Sequence, residues 1–445
     1  MPTRKLGTLF ALTVLACWLA IPSFADSQAR IVRLSQVDGE VQIDRNTGQG
    51  YEKAFLNLPI TQGTKLRTGP DARAEIEFED GSTLRITPGT VVEFPELALR
   101  DSGTRVSSVN LQTGTAYLNF KGAKSGQEFL LGFGREKLTL IKAAHLRVEM
   151  KDAAATLAVF KGDVEVEGAF GKVEVEKKHS ATFDLTGANP YTLANNLEPD
   201  PYDDWDKQQD QYQQRYSTVS GNFSPYGYGV SDLNYYGGFY DLPGYGVMWQ
   251  PFLVGAGWDP FMNGSWMWYP GSGYTWVSGY PWGWMPYRYG SWVFVPASGW
   301  FWQPGRAWSG WNTGPHIVNA PATFMVPRPP SRPGQFLAVN RVALPASGFA
   351  TRSRLQIRAD SAGLGIPRGS VRDLGRVSQQ FSRPAGGAGG MNRAPLAGSM
   401  HGSGGARVVG PRGGPTSHSS SIGGASSRMS APAPSSHSSS GSSHK

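Results

Sequence analysis

Between residues 28 and 190, apolar and polar positions alternate in short runs. Glu40-Val41-Gln42-Ile43-Asp44, Ala74-Glu75-Ile76-Glu77-Phe78-Glu79, Thr83-Leu84-Arg85-Ile86-Thr87, Val164-Glu165-Val166-Glu167 and Lys172-Val173-Glu174-Val175-Glu176 all repeat with period two. That period puts every second side chain on one face, so each run predicts a half-buried strand. The acidic residues of these runs are expected on a solvated face. Asp38-Gly39, Asp80-Gly81, Pro88-Gly89, Thr113-Gly114 and Lys161-Gly162-Asp163 separate the strands as turn signals. No stretch of similar length carries a 3.6 period. The segment predicts an all-β unit of many short strands, arranged as a sandwich, roll or solenoid.

Residues 191–222 break the pattern. Asp203 or Asp204 can cap a short helix that carries Trp205, Tyr212 and Tyr216. Asp200, Asp203, Asp204 and Asp206 read as a capped linker helix, because no loop glycine and bidentate Glu complete a calcium loop.

From residue 223 to 312 the apolar positions become aromatic and repeat. At an offset of 26, Gly264-Ser265-Trp266-Met267-Trp268 aligns with Gly290-Ser291-Trp292-Val293-Phe294, and Trp276 with Trp302. An earlier copy places Phe239 and Trp249 at the same positions. Rings at i and i+2 share a strand face, and the Pro and Gly between them turn the chain. Three hairpins are expected, side by side in one sheet. Their rings form either its core or, in part, an exposed platform that stacks on sugar rings. Trp282, Trp284, Tyr287, Tyr289 and Trp300 are the candidate platform.

Composition changes the picture at the two ends. Arg4 and Lys5, the apolar run Leu6 to Ile21 and Ser23-Phe24-Ala25 have the order of a secretory signal peptide, residues 1–25, cleaved near Ala25. The run is short for a membrane span, and no later stretch is long and apolar enough for one. A lipidated Cys17 is the alternative. The expected location is periplasmic or extracellular. Of the 14 Trp, 13 lie between Trp205 and Trp311. The net charge of +8 is uneven: from Val326 onward 14 Arg and one Lys face only Asp360 and Asp373. Residues 326–445, rich in Gly, Ser, Pro and Arg, are expected to be a basic disordered tail that holds to anionic envelope surfaces.

Candidate chemistry is sparse. Cys17 is the only cysteine, which excludes a thiol nucleophile and a Cys-based zinc site in the mature chain. His145 and His179 lack metal-spaced partners in the sequence. No catalytic, cofactor or metal residue is expected. Only Arg288 and Arg306 lie among the rings, too few for nucleic acid.

Two resemblances emerge. Gln62-Gly63-Thr64-Lys65-Leu66-Arg67-Thr68-Gly69, Ala72-Arg73-Ala74-Glu75-Ile76-Glu77-Phe78 and Asp80-Gly81-Ser82-Thr83-Leu84-Arg85-Ile86 resemble the FecR family. So do Leu111-Gln112-Thr113-Gly114 and Phe160-Lys161-Gly162-Asp163-Val164. The resemblance implies an all-β periplasmic domain, which in the name-giving proteins relays an iron-uptake signal to a sigma factor. Their cytoplasmic helical region and transmembrane helix have no counterpart ahead of the β-domain, so the fold and the compartment are what carry over. Val277-Ser278-Gly279-Tyr280-Pro281-Trp282-Gly283-Trp284-Met285-Pro286-Tyr287-Arg288-Tyr289-Gly290-Ser291-Trp292 is similar to a Trp/Tyr-rich domain of unknown function that frequently follows FecR-like domains in secreted proteins. The expected role is an envelope binding or scaffold protein whose partner is a glycan or an envelope protein. The alternative is a signalling component related to the FecR-type regulators.

Overall fold

The computed structural model describes residues 30–123, 126–187, 191–217, 226–308, 315–341, 355 and 357–381, without the side chains of residues 306–308. The expected leader and residues 382–445 lie outside the described residues. All described residues fall in one compact unit, residues 1–398.

Every alternating run named above lies on a strand. The first 17 strands, from Val32–Asp38 to Tyr191–Ala194, form two layers that share one long strand, Arg105–Phe120. In the front sheet, Val32–Asp38, Arg73–Glu77 and Thr83–Ile86 lead to the second half of the long strand. Ala144–Lys151, Ala154–Lys161, Ser180–Asp184 and Tyr191–Ala194 continue from there. In the back sheet, Val41–Asp44, Lys65–Thr68 and Val91–Leu99 lead to its first half. Gln127–Phe133 then runs parallel to it and is followed by Glu136–Leu140, Val164–Gly168 and Gly171–Val175. The fold is therefore a sandwich. Its core sits between the layers, where Leu34, Ile76, Leu84, Leu118 and Leu146 meet Ile43, Leu66, Val92, Leu131 and Val166, all 1% exposed or less.

One turn signal marks something else. Thr113-Gly114 lies inside the long strand, where Thr113 still pairs with Val91 in the back sheet and Gly114 already pairs with Met150 in the front. Gly114 has φ +83°, and a Cβ there would meet the Thr90 Cα at 2.6 Å. Only glycine lets the strand change layers at this point.

Helix α1 (Asp203–Tyr216) forms, but the expected Asp203 or Asp204 cap does not: Tyr202 stands at the N-cap with no side-chain cap bond, and Asp203, Asp204 and Asp206 lie in the first turn, favoured by the helix dipole. It is not a loose linker: Trp205, Asp206, Tyr212 and Gln213 are buried. Helix α2 (Val230–Tyr236) follows.

The three aromatic hairpins are Gly237–Leu242 with Gly246–Pro251, Asn263–Tyr269 with Gly273–Ser278, and Tyr289–Val295 with Gly299–Trp308. The repeat is literal: Phe239 faces Trp249, Trp266 faces Trp276 and Trp292 faces Trp302. The expected single sheet is corrected to two. The first and third hairpins join through Trp249 and Trp302. The second makes a separate three-stranded sheet, its edge taken by Leu337–Asn340.

That strand belongs to the expected tail, and so does a more deeply packed segment. Ala362, Leu364, Ile366 and Leu374 lie in the aromatic core, and helix α3 (Leu374–Phe381) follows. The packed chain thus extends to residue 381. The tail's low apolar content misled because a few well-spaced apolar residues suffice when an aromatic core is there to receive them.

Candidate functional site

The strands of the front sheet point one set of side chains inward and the other set outward. The outward set was expected to be solvated. Instead Arg33, Glu75, Glu77 and Arg85 are 0 to 1% exposed. Helix α1, helix α2 and the aromatic hairpins cover that face, and its charges pair across the join.

The resulting polar seam is continuous. Arg33 donates from Nη1 to Glu77 at 3.0 Å, and its Nη2 lies 2.7 Å from Asp232 of α2. Arg368, from the packed C-terminal segment, grips both oxygens of Asp232 at 2.8 and 2.7 Å and reaches Glu75 at 2.7 Å. It therefore ties the front sheet to the aromatic domain with one guanidinium. Glu75 also accepts from Arg85 Nε at 2.8 Å, and Arg85 Nη1 lies 2.6 Å from Asp206 and 2.8 Å from Asp210 on α1. Charge-assisted bonds of this kind, with Arg368 on Asp232 bidentate, are strong and directional.

Backbone contacts seal the same join. Asn57 donates to the carbonyls of Ser278 and Tyr280 at 3.0 and 2.8 Å, and Arg33 Nη2 to that of Pro281 at 2.8 Å. The Tyr269 hydroxyl donates to Pro59 at 2.9 Å. Tyr228, Met267, Tyr269, Val277 and Trp284 of the aromatic domain pack into the sandwich cluster itself.

Electrostatics differ sharply along the seam. Burial would raise the Glu75 carboxyl, but Arg85 and Arg368 outweigh it and hold the pKa down at about 2. Glu77 has fewer donors. Burial, helped by the neighbouring Asp232, overcomes Arg33 and pushes its pKa up to about 7.

At one end the seam opens into a cleft of about 530 Å³, lined by His145, Phe160, Asp203, Asp204, Asp206, Lys207, Asp210, Gln211 and Gln214. His145 lies on a strand as expected, but the expectation that it lacks metal-spaced partners is corrected here. Helix α1 sets His145 Nε2 2.7 Å from Asp206 and Nδ1 3.7 Å from Asp210. Ligand atoms of these three residues lie within 4.8 Å of one another. Arg85 already occupies both aspartates, and Asn119 donates to Asp210 at 2.7 Å. Burial would raise Asp210, but Arg85 and His145 hold it below the usual range. The donor set is thus compensated by side chains and reads as the end of the ion network.

The candidate platform does not form. Trp282 and Trp284 are 0% exposed, Tyr287 1%, Tyr289 2% and Trp300 4%. Trp282 is stacked on Tyr280 at 4.9 Å and donates to the Ala362 carbonyl at 2.7 Å. Arg288 lies 4.1 Å above Trp284, and Phe324 lies 4.6 Å from Trp300. The Tyr287 hydroxyl donates to the Pro260 carbonyl, and the Trp302 indole to that of Tyr289. These rings are core because short Gly- and Pro-broken hairpins have little aliphatic side chain to bury.

The sequence signal for the seam was the mixture of charge signs. In the front sheet Glu75 pairs in register with Arg85, and Arg33 with Glu77. In the back sheet Glu165 faces Glu174, both exposed, as a solvated face requires.

Residues 64–165 match the family model described as FecR protein, and residues 230–323 match a family of unknown function, DUF6600. The chain thus carries a FecR-like domain followed by a second domain of undefined role. Two crystal structures of a candidate anti-sigma factor from Parabacteroides distasonis are similar in part. They share 15% and 14% identity over 36% of this chain and 68% and 67% of theirs, each with a TM-score of 0.26. No curated protein matches the chain.

Proposed function

We propose that the chain is an exported, non-catalytic scaffold protein of a bacterial cell envelope, and that its partner is a protein rather than a sugar polymer. The observation that carries this reading is the burial of all five candidate platform rings, which leaves none of them a flat face for a sugar. The FecR-like and aromatic domains act as one body, because the charges that would face solvent on the front sheet are spent on each other. The cleft at the end of the seam is the surface offered to the partner. Its exposed Asp204 and Lys207 beside Phe160 suit a polar peptide segment with an apolar anchor.

The FecR match favours a second reading, a signalling component related to the sigma-factor regulators. One experiment separates the three. The full chain is tested for retention on insoluble peptidoglycan and polysaccharides, and in cells a photo-crosslinker replaces Gln211 at the cleft rim. The expected result is no saturable retention and a discrete protein adduct. Saturable retention on a polymer would overturn the reading, and an adduct with a membrane-anchored regulator would move it to the signalling role.

A further inference from the structure

The seam holds more negative than positive charge. Among the described residues, Arg33, Arg85 and Arg368 are its guanidiniums, against Glu75, Glu77, Asp232, Asp206 and Asp210. His145 and Asn119 serve the Asp206 and Asp210 end. Arg85 is shared between that end and Glu75, so at the centre, where the two domains meet, Glu75, Glu77 and Asp232 outnumber Arg33 and Arg368.

The central carboxylates are not equally served. Glu75 accepts from Arg85, Arg368 and Ser35 Oγ, at 2.8, 2.7 and 2.7 Å. Asp232 takes both arms of Arg368, the Tyr212 hydroxyl at 2.9 Å, and Arg33 Nη2 at 2.7 Å. Glu77 accepts from Arg33 Nη1 and from the Gly229 N–H, both at 3.0 Å and both on Oε2. Asp232 and Arg368 face it from the aromatic domain and the C-terminal segment, and Arg33 and Glu75 from its own sheet. Arg85, Tyr212, Tyr236 and Arg288 stand one contact further out.

We propose that this centre is a pH-sensitive latch between the two domains, closed by a proton on Glu77. A buried site with an excess carboxylate keeps one of them neutral. Glu77 is the one with the fewest donors, and with Oε2 already accepting twice the proton belongs on Oε1. Loss of that proton places a third full negative charge beside Glu75 and Asp232, where only Arg33 and Arg368 are left to balance it with the shared Arg85. Glu77 also accepts directly from the Gly229 N–H at the start of α2, so the strain falls on the join itself.

The sign follows from the direction of the shift. The Glu77 pKa rises from 4.5 in the open state to about 7 in the closed one. The stabilisation is complete below about 4.5 and is lost as pH rises through about 7. The latch loosens on the alkaline side. This inference rests on the seam alone and does not depend on who the partner is.

The test is hydrogen exchange of the full chain between pH 5 and 8, corrected for intrinsic exchange and read at α2 and at the strand Arg73–Glu77. Protection of both should fall on the order of 50-fold in the wild type, and Glu77→Gln should flatten the dependence. Infrared spectroscopy of the unmodified chain gives a reading free of folding defects: a buried protonated carboxyl band should be present at pH 5 and disappear through about pH 7. Equal protection at both pH values, or no such band at pH 5, would overturn the latch.

Discussion

Arg368 carries the sharpest expectation at the scale of single residues. It is 8% exposed at the side chain and serves Asp232 and Glu75 at once. Arg368→Ala leaves two buried carboxylates short of donors, which costs about 3–5 kcal/mol in chemical unfolding. Lysine at the same site restores the charge but not the fork, so Arg368→Lys should recover only part of the loss. Lys172→Ala, which removes an exposed pair with Glu165, should leave the unfolding midpoint where it was. Trp282→Ala should cost about 3–5 kcal/mol, as truncation of a fully buried ring does, and its circular dichroism should show a weakened fold. A platform residue would have shown neither loss. The sequence placed the repeat rings of the hairpins on strands but left open which side they faced, and it did not show that Trp282, Trp284 and Tyr287 sit in the connection between two hairpins. Ring spacing fixes a face of a strand, whereas the identity of that face depends on segments far away in the chain. Arg368 was illegible for the same reason. Its partners lie 136 and 293 positions away, in a stretch whose composition resembles a linker.

At the scale of elements, the period-two runs and the aromatic repeat were both readable, because each is a local pattern that backbone geometry translates directly. Strand partners were less readable. The second hairpin stands apart since Leu337–Asn340 takes its edge, and nothing in the hairpin itself announces a partner about 60 residues further on. Gly114 looked like one more turn and is instead the point at which a 16-residue strand leaves one layer for the other. Its φ of +83° and the 2.6 Å approach to Thr90 predict different tolerances at two glycines of similar φ. Gly81→Ala, with open space around it, should cost about 1 kcal/mol. Gly114→Ala adds a backbone clash to the same torsional strain and should cost at least about 3 kcal/mol. Thermal melts of the two variants side by side give the comparison.

The whole molecule should unfold as one unit although two sequence families meet in it. The full chain is expected to give a single transition in calorimetry. Fragments ending at residue 217 or beginning at residue 226 should not melt cooperatively, because each exposes half of a paired charge network and part of a shared apolar cluster. Asp210 adds to the acid limb of stability, whose main group is Glu75. Its carboxyl is held at about 2, so its contribution is present above 4.5 and is lost as pH falls from there toward 2. The covered front sheet also bears on how such a chain can be rearranged over generations. Arg33, Glu75 and Glu77 on one side answer Asp232 and Arg368 on the other, so the two halves are a lock and its own key. Neither can be traded for the same module of a distant cousin unless the matching charges travel with it, and a shuffled hybrid would inherit sites of repulsion where the parent had bonds.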